Sequence, residues 1–453
     1  MIQDIVKNQR EYYLSGETLD IDFRLTQLKK LRNSLLQNQQ EIYDAFMTDY
    51  NKCEFDVVST ELGMVVSEID YMLAHLKKLV KPRKVRSNLI NFPSRGLLVS
   101  EPYGVALIMS PWNYPLQLAL APLVGAIAGG NTAIVKPGNY APEVSKIIKK
   151  ILSVFDEKYV TAVLGGRDSN AELLDQRFDI IFFTGGTVVG KLVMEKAAKN
   201  LTPVILELGG KSPCIVDNDA DIELAAKRVA WGKYLNAGQT CVAPDYVLVH
   251  KDVKNEFTKR LILWIEKYYY TDGKITKNFT NIINDKHFER LNGLIDKNKV
   301  VYGGGQSGRL LEPVVMSDVK REDAVMSEEI FGPILPLLTF EDFDTEIDTL
   351  KRLEKPLALY YFGANKTHIE KITKEVSFGG GCINDVIMHL TSETLPFGGV
   401  GFSGTGSYHG KKSYETFTHQ KSVLIKGKAE INLKYPPYGD KKLKFIKTFM
   451  KCK

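Results

Sequence analysis

The sequence predicts an α/β protein built on two parallel-sheet blocks, and three observations carry that prediction. From Val105 onward, short apolar runs without inside–outside alternation are separated by helical stretches, the pattern of strands buried on both faces. The chain has 453 residues, 44% of them hydrophobic, which is more than a single core holds, so two sizeable cores are expected. Glycine- and proline-marked motifs fall where the predicted strands end, which is where ligands bind in such sheets.

Residues 1–80 read as helices. Leu25, Leu28, Leu31, Leu35, Ile42 and Phe46 recur at three- and four-residue spacings or their multiples, with Lys, Gln and Asn between them, a stripe suited to core packing. The pattern breaks at Lys81-Pro-Arg-Lys-Val-Arg-Ser87, and a mixed extended segment runs to Glu101. The first block then alternates strands at 105–109, 132–135, 160–164, 180–183 and 204–208 with helices at 116–128, 142–155, 170–177 and 188–199. Gly129-Gly130 stops the first of these helices. The second block has strands at 214–216, 246–250, 334–338, 357–362 and 381–383, with helices at 222–235 and 254–268 among them. The boundary between blocks is expected near Leu208-Gly-Gly-Lys211, where a strand runs into a glycine pair.

Bulk properties exclude several classes. A net charge of +6 is small for this length and gives no nucleic-acid signature. Five cysteines, odd in number and without a CxxC pair, suit reduced thiols and a cytoplasmic location. The seven histidines form no metal-ligand spacing, so no metal is assigned. No apolar run behind basic residues follows Met1, so no signal peptide is expected, and no stretch reaches the ~18 apolar residues of a membrane span.

Cys241, in Asn236-Ala-Gly-Gln-Thr-Cys241-Val-Ala-Pro244, has small neighbours that let a substrate and the backbone approach it; a lone cysteine serves equally as a small core residue. Glu207 ends an apolar strand ahead of Leu208-Gly209-Gly210. A carboxyl there can have a raised pKa and act as a base, or be a paired structural acid. Asn113, in Ser110-Pro-Trp112-Asn-Tyr-Pro115, can donate to a developing oxyanion or satisfy turn backbone. Thr184-Gly185-Gly186-Thr-Val-Val189-Gly190 joins a strand to a helix, where a pyrophosphate is often cradled, though a plain turn reads the same way.

Taken together, PWNYP, FTGGTxxG, ELGGKSP, GQTCVAPDY, EEIFGP and PFGGVGxSG stand in the order of the aldehyde dehydrogenase superfamily. The chain resembles that family from about Arg24 to about Pro437. Asn384-Asp-Val-Ile-Met-His389, Gly404-Thr-Gly-Ser-Tyr-His-Gly-Lys-Lys412 and Lys434-Tyr-Pro-Pro437 resemble its class 3 branch. The resemblance implies a Rossmann-like cofactor domain (1–80 and 102–206), an α/β catalytic domain (207–400), a small β bridging domain (81–101 and 415–427) and a tail (428–453). It implies that Cys241 is the nucleophile that forms a thioester, with Asn113 and the Cys241 N–H holding the oxyanion. Glu207 would activate the hydrolytic water, and the nucleophile's role implies a lowered thiol pKa. NAD or NADP would be held by Trp112, Lys136, Asn139, Gly185, Gly186, Val189, Leu208, Gly209, Glu329 and Phe331.

Two departures stand out. The family usually has Pro-Ser-Glu after the lysine, and here Pro137-Gly138-Asn139 follows Lys136. Asn139 keeps hydrogen bonding to a ribose but removes the charge that repels a 2′-phosphate, so NADP use is expected, with Lys136 attracting the phosphate. Gly186 replaces a common serine without losing the turn. The expected substrates are medium- or long-chain aliphatic or aromatic aldehydes, with Tyr114, Ile387 and Met388 lining an apolar funnel. A semialdehyde-specific enzyme is the alternative, and the absence of Arg and Lys from 385–392 leans against it. A non-catalytic binding protein on the same scaffold is the remote one. The resemblance further implies a homodimer through the bridging segments. The run from Lys441 to Lys453 mixes six lysines with Leu443, Phe445, Ile446, Phe449 and Met450, a basic amphipathic helix suited to weak contact with an anionic membrane or else a frayed end.

Overall fold

Five strands in the first half of the chain align in parallel because each is apolar on both faces. Val105–Met109, Thr132–Lys136 and Ile180–Thr184 are buried at every residue. The structure is a computed structural model that describes residues 2–88, 91–429 and 432–452. Parts of the expected bridging segment (89–90) and tail (430–431 and 453) lie outside the described residues. From Val105–Met109 the sheet grows one way through Thr132–Lys136 to Val160–Ala162 and the other way through Ile180–Thr184 to Val204–Glu207. A strand that sequence reading missed, Gly404–Thr405, adds to the outer edge in antiparallel register, Gly404 opposite Glu207.

The second sheet runs Val300–Gly303, Val314–Met316, Ile334–Phe340, Tyr246–His250, Pro213–Val216, Ala358–Phe362, Gly380–Ile383, and only its first pair is antiparallel. Every strand expected from the sequence forms within two residues of its expected ends. The helix expected at 170–177 forms at Arg167–Leu174, directly behind Gly165, whose φ of 136° lets the chain turn out of its strand early. Val300–Gly303 and Val314–Met316 escaped because glycines and a two-residue hairpin break their apolar pattern.

Ser94–Pro102 pairs along its whole length with Thr418–Lys426, and Arg83–Val85 completes this third sheet. The chain therefore returns from its far end to the region beside the first sheet. Asn131 fastens that return. Its buried side chain accepts from Gly104 N at 3.0 Å and donates to Ala126 O at 3.1 Å and Phe417 O at 2.9 Å. Gly125 of the fully buried helix Pro115–Gly129 makes room for the same return, since a Cβ there would lie 2.9 Å from the Phe417 ring. Asn131→Ala takes their partner from Gly104 N and Phe417 O, while Ala126 O keeps the Asn131 backbone N–H, at ~1–3 kcal/mol for each group that finds no water. Scanning calorimetry is expected to show a lower unfolding midpoint than the parent protein. An unchanged midpoint would mean that the junction does not depend on this amide.

Candidate active site

Val105–Met109 and Ile180–Thr184 are the neighbours at which the first sheet reverses its direction of growth, and a crevice opens beyond their carboxyl ends. Ser110–Tyr114 leaves one strand there and Gly185-Gly186 leaves the other. Ser110 Oγ and Thr184 Oγ1, at those two strand ends, are buried without a protein partner.

Cys241 reaches the crevice from the second block. Helix Ile222–Tyr234 runs into a tight turn, Leu235–Gly238, in which Asn236 and Ala237 take φ of 54° and 52°. Such values are uncommon for residues with a Cβ, and consecutive ones need outside support. Asn236 supplies it, donating to Asn113 O at 2.9 Å and Gln239 O at 3.1 Å. Gly238 is required next, because a Cβ there would lie 2.2 Å from Gly332 O. Asn113, 3% exposed, donates from Nδ2 to Gln239 O at 3.2 Å. One of its two amide hydrogens is thus used and the other remains. The structure brings Asn113 to within two residues of Cys241 across more than a hundred positions of sequence.

The setting of Cys241 reverses one expectation. Burial, and after it the carboxyls of Glu329 and Glu207, push the thiol up to about 12, against the pull of the Cys241 and Val242 N–H groups. Glu207 is 2% exposed, and neither of its oxygens has a hydrogen-bond partner. Burial raises its pKa well above the ordinary carboxyl value.

Glu329 lies against Gly209, where a Cβ would sit 2.0 Å from Oε2; burial pushes Glu329 up to about 8 although the Gly210 N–H opposes it. Phe331 takes φ of 52° and meets Trp112 edge to face at 5.4 Å. The loop before it is locked by two residues that sequence reading passed over within the motifs. Lys211 Nζ bonds Asp245 Oδ2 at 2.5 Å and Glu328 O at 2.8 Å, and Asp245 Oδ1 accepts from Ile330 N at 2.9 Å.

The other predicted residues lie along the rest of the crevice. Helix Thr187–Ala198 starts at Gly186 with no side-chain cap, and a Cβ on Gly186 would meet nothing within 4 Å, so its first N–H groups face open space. Val189 is exposed on that helix, while Leu208 is buried and packs over Gly190. Asn139 is exposed at the loop beyond Thr132–Lys136. Lys136, expected to attract a 2′-phosphate, is engaged within the protein. It is 3% exposed, donates from Nζ to its neighbour Pro137 O at 2.8 Å, and burial pushes it down to about 8.

Two spaces flank this centre. A cavity of about 350 Å³ touches Cys241 and is walled mainly by apolar side chains such as Tyr114, Trp231, Leu235, Met388 and Phe397. A cleft of about 530 Å³ touches Thr187, Gly209, Gly210 and Glu329. A cysteine at the wall of an apolar cavity, a paired asparagine amide, an unsatisfied buried carboxyl and an uncapped helix at a sheet switch point define an oxidoreductase-type site with room for a dinucleotide.

The aldehyde dehydrogenase family model matches residues 2–423, and the chain belongs to that family. Its enzymes depend on NAD or NADP. The chain is 44% identical to mouse aldehyde dehydrogenase family 3 member A2 over 97% of its own length and 92% of the relative. It is 42% identical to the rat protein named aldehyde dehydrogenase, dimeric NADP-preferring, over 96% and 98%. The solved substrate-bound state of Staphylococcus aureus AldH is similar at a TM-score of 0.97 and 41% identity, with 99% of both chains covered.

Glu207 has a stability consequence. Folding raises its pKa, so the folded state holds a proton that the unfolded state releases, and stability falls as pH rises through and above the ordinary carboxyl range. Glu207→Gln, which cannot ionise, is expected to raise the thermal midpoint at pH 8 and to narrow its gain at pH 5. A midpoint lowered at pH 8 would show that the carboxyl is paired after all.

Proposed function

We propose that the protein oxidises neutral aldehydes, aliphatic of medium or long chain or aromatic, to carboxylic acids with NAD or NADP through a thioester on Cys241. The observation that carries this reading is the placement of Cys241 at the wall of an apolar cavity, with the Asn113 amide and the unsatisfied Glu207 carboxyl beside it.

The reaction begins from a thiol, since burial holds Cys241 protonated. Sγ bonds to the carbonyl carbon as the thiol proton passes to solvent water, and the developing oxyanion accepts from the free Asn113 N–H and the Cys241 backbone N–H. When bound, the nicotinamide accepts the hydride that leaves the same carbon, and a thioester remains on Sγ. In its ionised form Glu207, whose oxygens have no protein partner, takes a proton from a water that attacks the acyl carbon, and as the C–S bond breaks that proton passes to the leaving sulfur, so the acid and the thiol are released. Glu329, Phe331, Trp112, Leu208 and Gly209 would hold the nicotinamide half. Gly185, Gly186 and Val189 would hold the pyrophosphate side, and Lys136 and Asn139 the adenosine ribose. The open helix start at Gly186 and the bare Gly209 surface fit such a group.

NADP acceptance rests on Asn139, which carries no charge to repel a 2′-phosphate; the engaged Lys136 contributes less than its formal charge suggests. The rat relative named NADP-preferring supports the same choice. Against a semialdehyde substrate stands the cavity wall: among its described residues there is no Lys or Arg, and Asp56 is the one acid. A pure binding scaffold would have no use for a buried carboxyl without partners, which costs stability. A homodimer is supported by Thr418–Lys426, an edge strand exposing Val423, Leu424 and Ile425, and by the relative named dimeric. The unpaired cysteines among the described residues support a cytoplasmic location as part of this reading.

Reduction at 340 nm tests the reading with decanal, benzaldehyde and succinic semialdehyde, NAD and NADP separately, and Cys241→Ala as control. Turnover is expected to vanish in the control. The neutral aldehydes are expected to exceed the semialdehyde by at least ~10-fold in kcat/KM. An NAD preference above ~100-fold would refute the role given to Asn139.

The tail carries a separate proposal of peripheral contact with anionic membranes. Helix Asp440–Phe449 has no buried residue, and its apolar side chains lie opposite most of its lysines. Co-sedimentation with phosphatidylglycerol vesicles is expected at low salt, with none on phosphatidylcholine. Equal sedimentation after deletion of residues 441–453 would remove the tail from the account.

A further inference from the structure

Beside the aldehyde cavity lies a second, narrow space of about 30 Å³, an annex lined by Glu68, Ala121, Ser67 and Glu393, which shares Met64, Gln117 and His409 with the wall of that cavity. That is room for one small polar group. Two side chains that line the annex are held rigidly, and each ends in an unsatisfied atom. Glu68 is 6% exposed and His409 is 7% exposed.

Glu68 accepts from Gly410 N at 3.0 Å through Oε2 and from the Ser413 hydroxyl, and its Oε1 has no partner. His409 donates its backbone N–H to Ser413 Oγ at 2.9 Å and stacks its ring on Phe397 at 5.5 Å, with φ of 83°. A non-glycine residue fixed in that region is strained, and strain of this kind gathers at functional sites. Burial pushes His409 down to about 4, so the ring is neutral at pH 7. A neutral ring carries one N–H, and the unpartnered Nε2 is an acceptor when that N–H is on Nδ1.

We propose that the annex is a subsite for a hydroxyl group at the far end of the aldehyde, read by Glu68 Oε1 and His409 Nε2. A hydroxyl has one hydrogen: with Glu68 protonated on Oε1 it accepts from that O–H and donates to His409 Nε2, and with Glu68 ionised it donates to one of the two acceptors. A methyl leaves both atoms bare, and a carboxylate has no hydrogen for His409 Nε2. The enzyme therefore favours ω-hydroxy aldehydes over alkyl aldehydes of equal length, within the range of lengths that spans from Cys241 to the annex. This inference rests on the reading that the cavity at Cys241 holds the aldehyde.

The test compares kcat/KM for matched pairs of n-alkanals and ω-hydroxyalkanals from three to twelve carbons, followed at 340 nm. The shortest pairs are expected to be equal. Pairs that reach the annex are expected to favour the hydroxyl by about fivefold, the effect of one net neutral hydrogen bond. Ala121→Val fills the annex from the helix Pro115–Gly129 and is expected to return the ratio to one while propanal turnover stays unchanged. If that variant does not fold, Glu68→Leu, with propanal turnover as the check on folding, is expected to do the same. A ratio of one at every length would mean that the annex holds water only and would overturn the inference while leaving the dehydrogenase intact. A preference undiminished in both variants would place the hydroxyl elsewhere and overturn it too. Absence of turnover with any aldehyde would overturn the underlying reading instead.

Discussion

The arrangement of the site depends on the Asn236 amide. Two residues in succession before Cys241 sit in a backbone region that costs of order 1–3 kcal/mol each for side chains with a Cβ. Asn236 offsets that cost by bonding Asn113 O and Gln239 O together, so one side chain joins the turn that carries Cys241 to the loop that carries the oxyanion amide. Gln239 extends the lock, donating to Asn236 O at 3.1 Å and accepting from Ile283 N at 3.0 Å. The first block contributes Asn113 and Glu207 and the second contributes Cys241 and Glu329, so residues of both sheets meet at this junction.

Around that junction the protein removes water and supplies little compensating charge. Cys241, Glu207 and Glu329 are all drawn toward their protonated forms by burial, and Lys233, fully buried with no partner for Nζ, is drawn down to about 8. A region that disfavours every isolated charge suits a reaction in which charges form transiently and are met by oriented N–H groups. It also places a cost on the folded state, which explains why the surrounding loops are fastened so heavily. The Lys211–Asp245 pair is the clearest example, since it ties down the Glu329 loop without touching the proposed reacting atoms.

Much of this was legible in the letters, for identifiable reasons. Parallel strands buried on both faces are runs of apolar residues, and Ile180–Thr184 or Tyr246–His250 cannot be read otherwise. The motifs named Cys241, Glu207 and Asn113, and the structure places them together. The letters do not carry burial or direction, so the expected lowering of the Cys241 pKa is reversed, and the engagement of Lys136 Nζ with Pro137 O is not foreseen. Nor could they show the wall of the aldehyde cavity at Phe55–Met64. There the helix loosens into a π turn over Val58–Leu62, and a Cβ on Gly63 would lie 2.6 Å from Val58 O. That geometry depends on one glycine and a missing side chain, which no periodicity reveals.

The loosened helix connects the fold to selectivity. π turns inside α-helices cluster at functional sites because they widen one face of the helix without breaking it. Here the widened face presents Phe55, Ser59, Thr60 and Met64 to the cavity, while the next turn of the same helical run carries Glu68 to the annex. One continuous run therefore lines both the apolar cavity and the polar annex. Its inner side is clamped by the buried Lys52–Glu61 pair at 3.1 Å, with Glu61 also accepting from Gln117 N at 2.9 Å. A buried pair of this kind breaks at high cost when one partner is lost, so it fixes position more than it adds stability. On the proposed reading, the chain and the end group of the aldehyde would both be met by this one run, which packs against the central helix Pro115–Gly129.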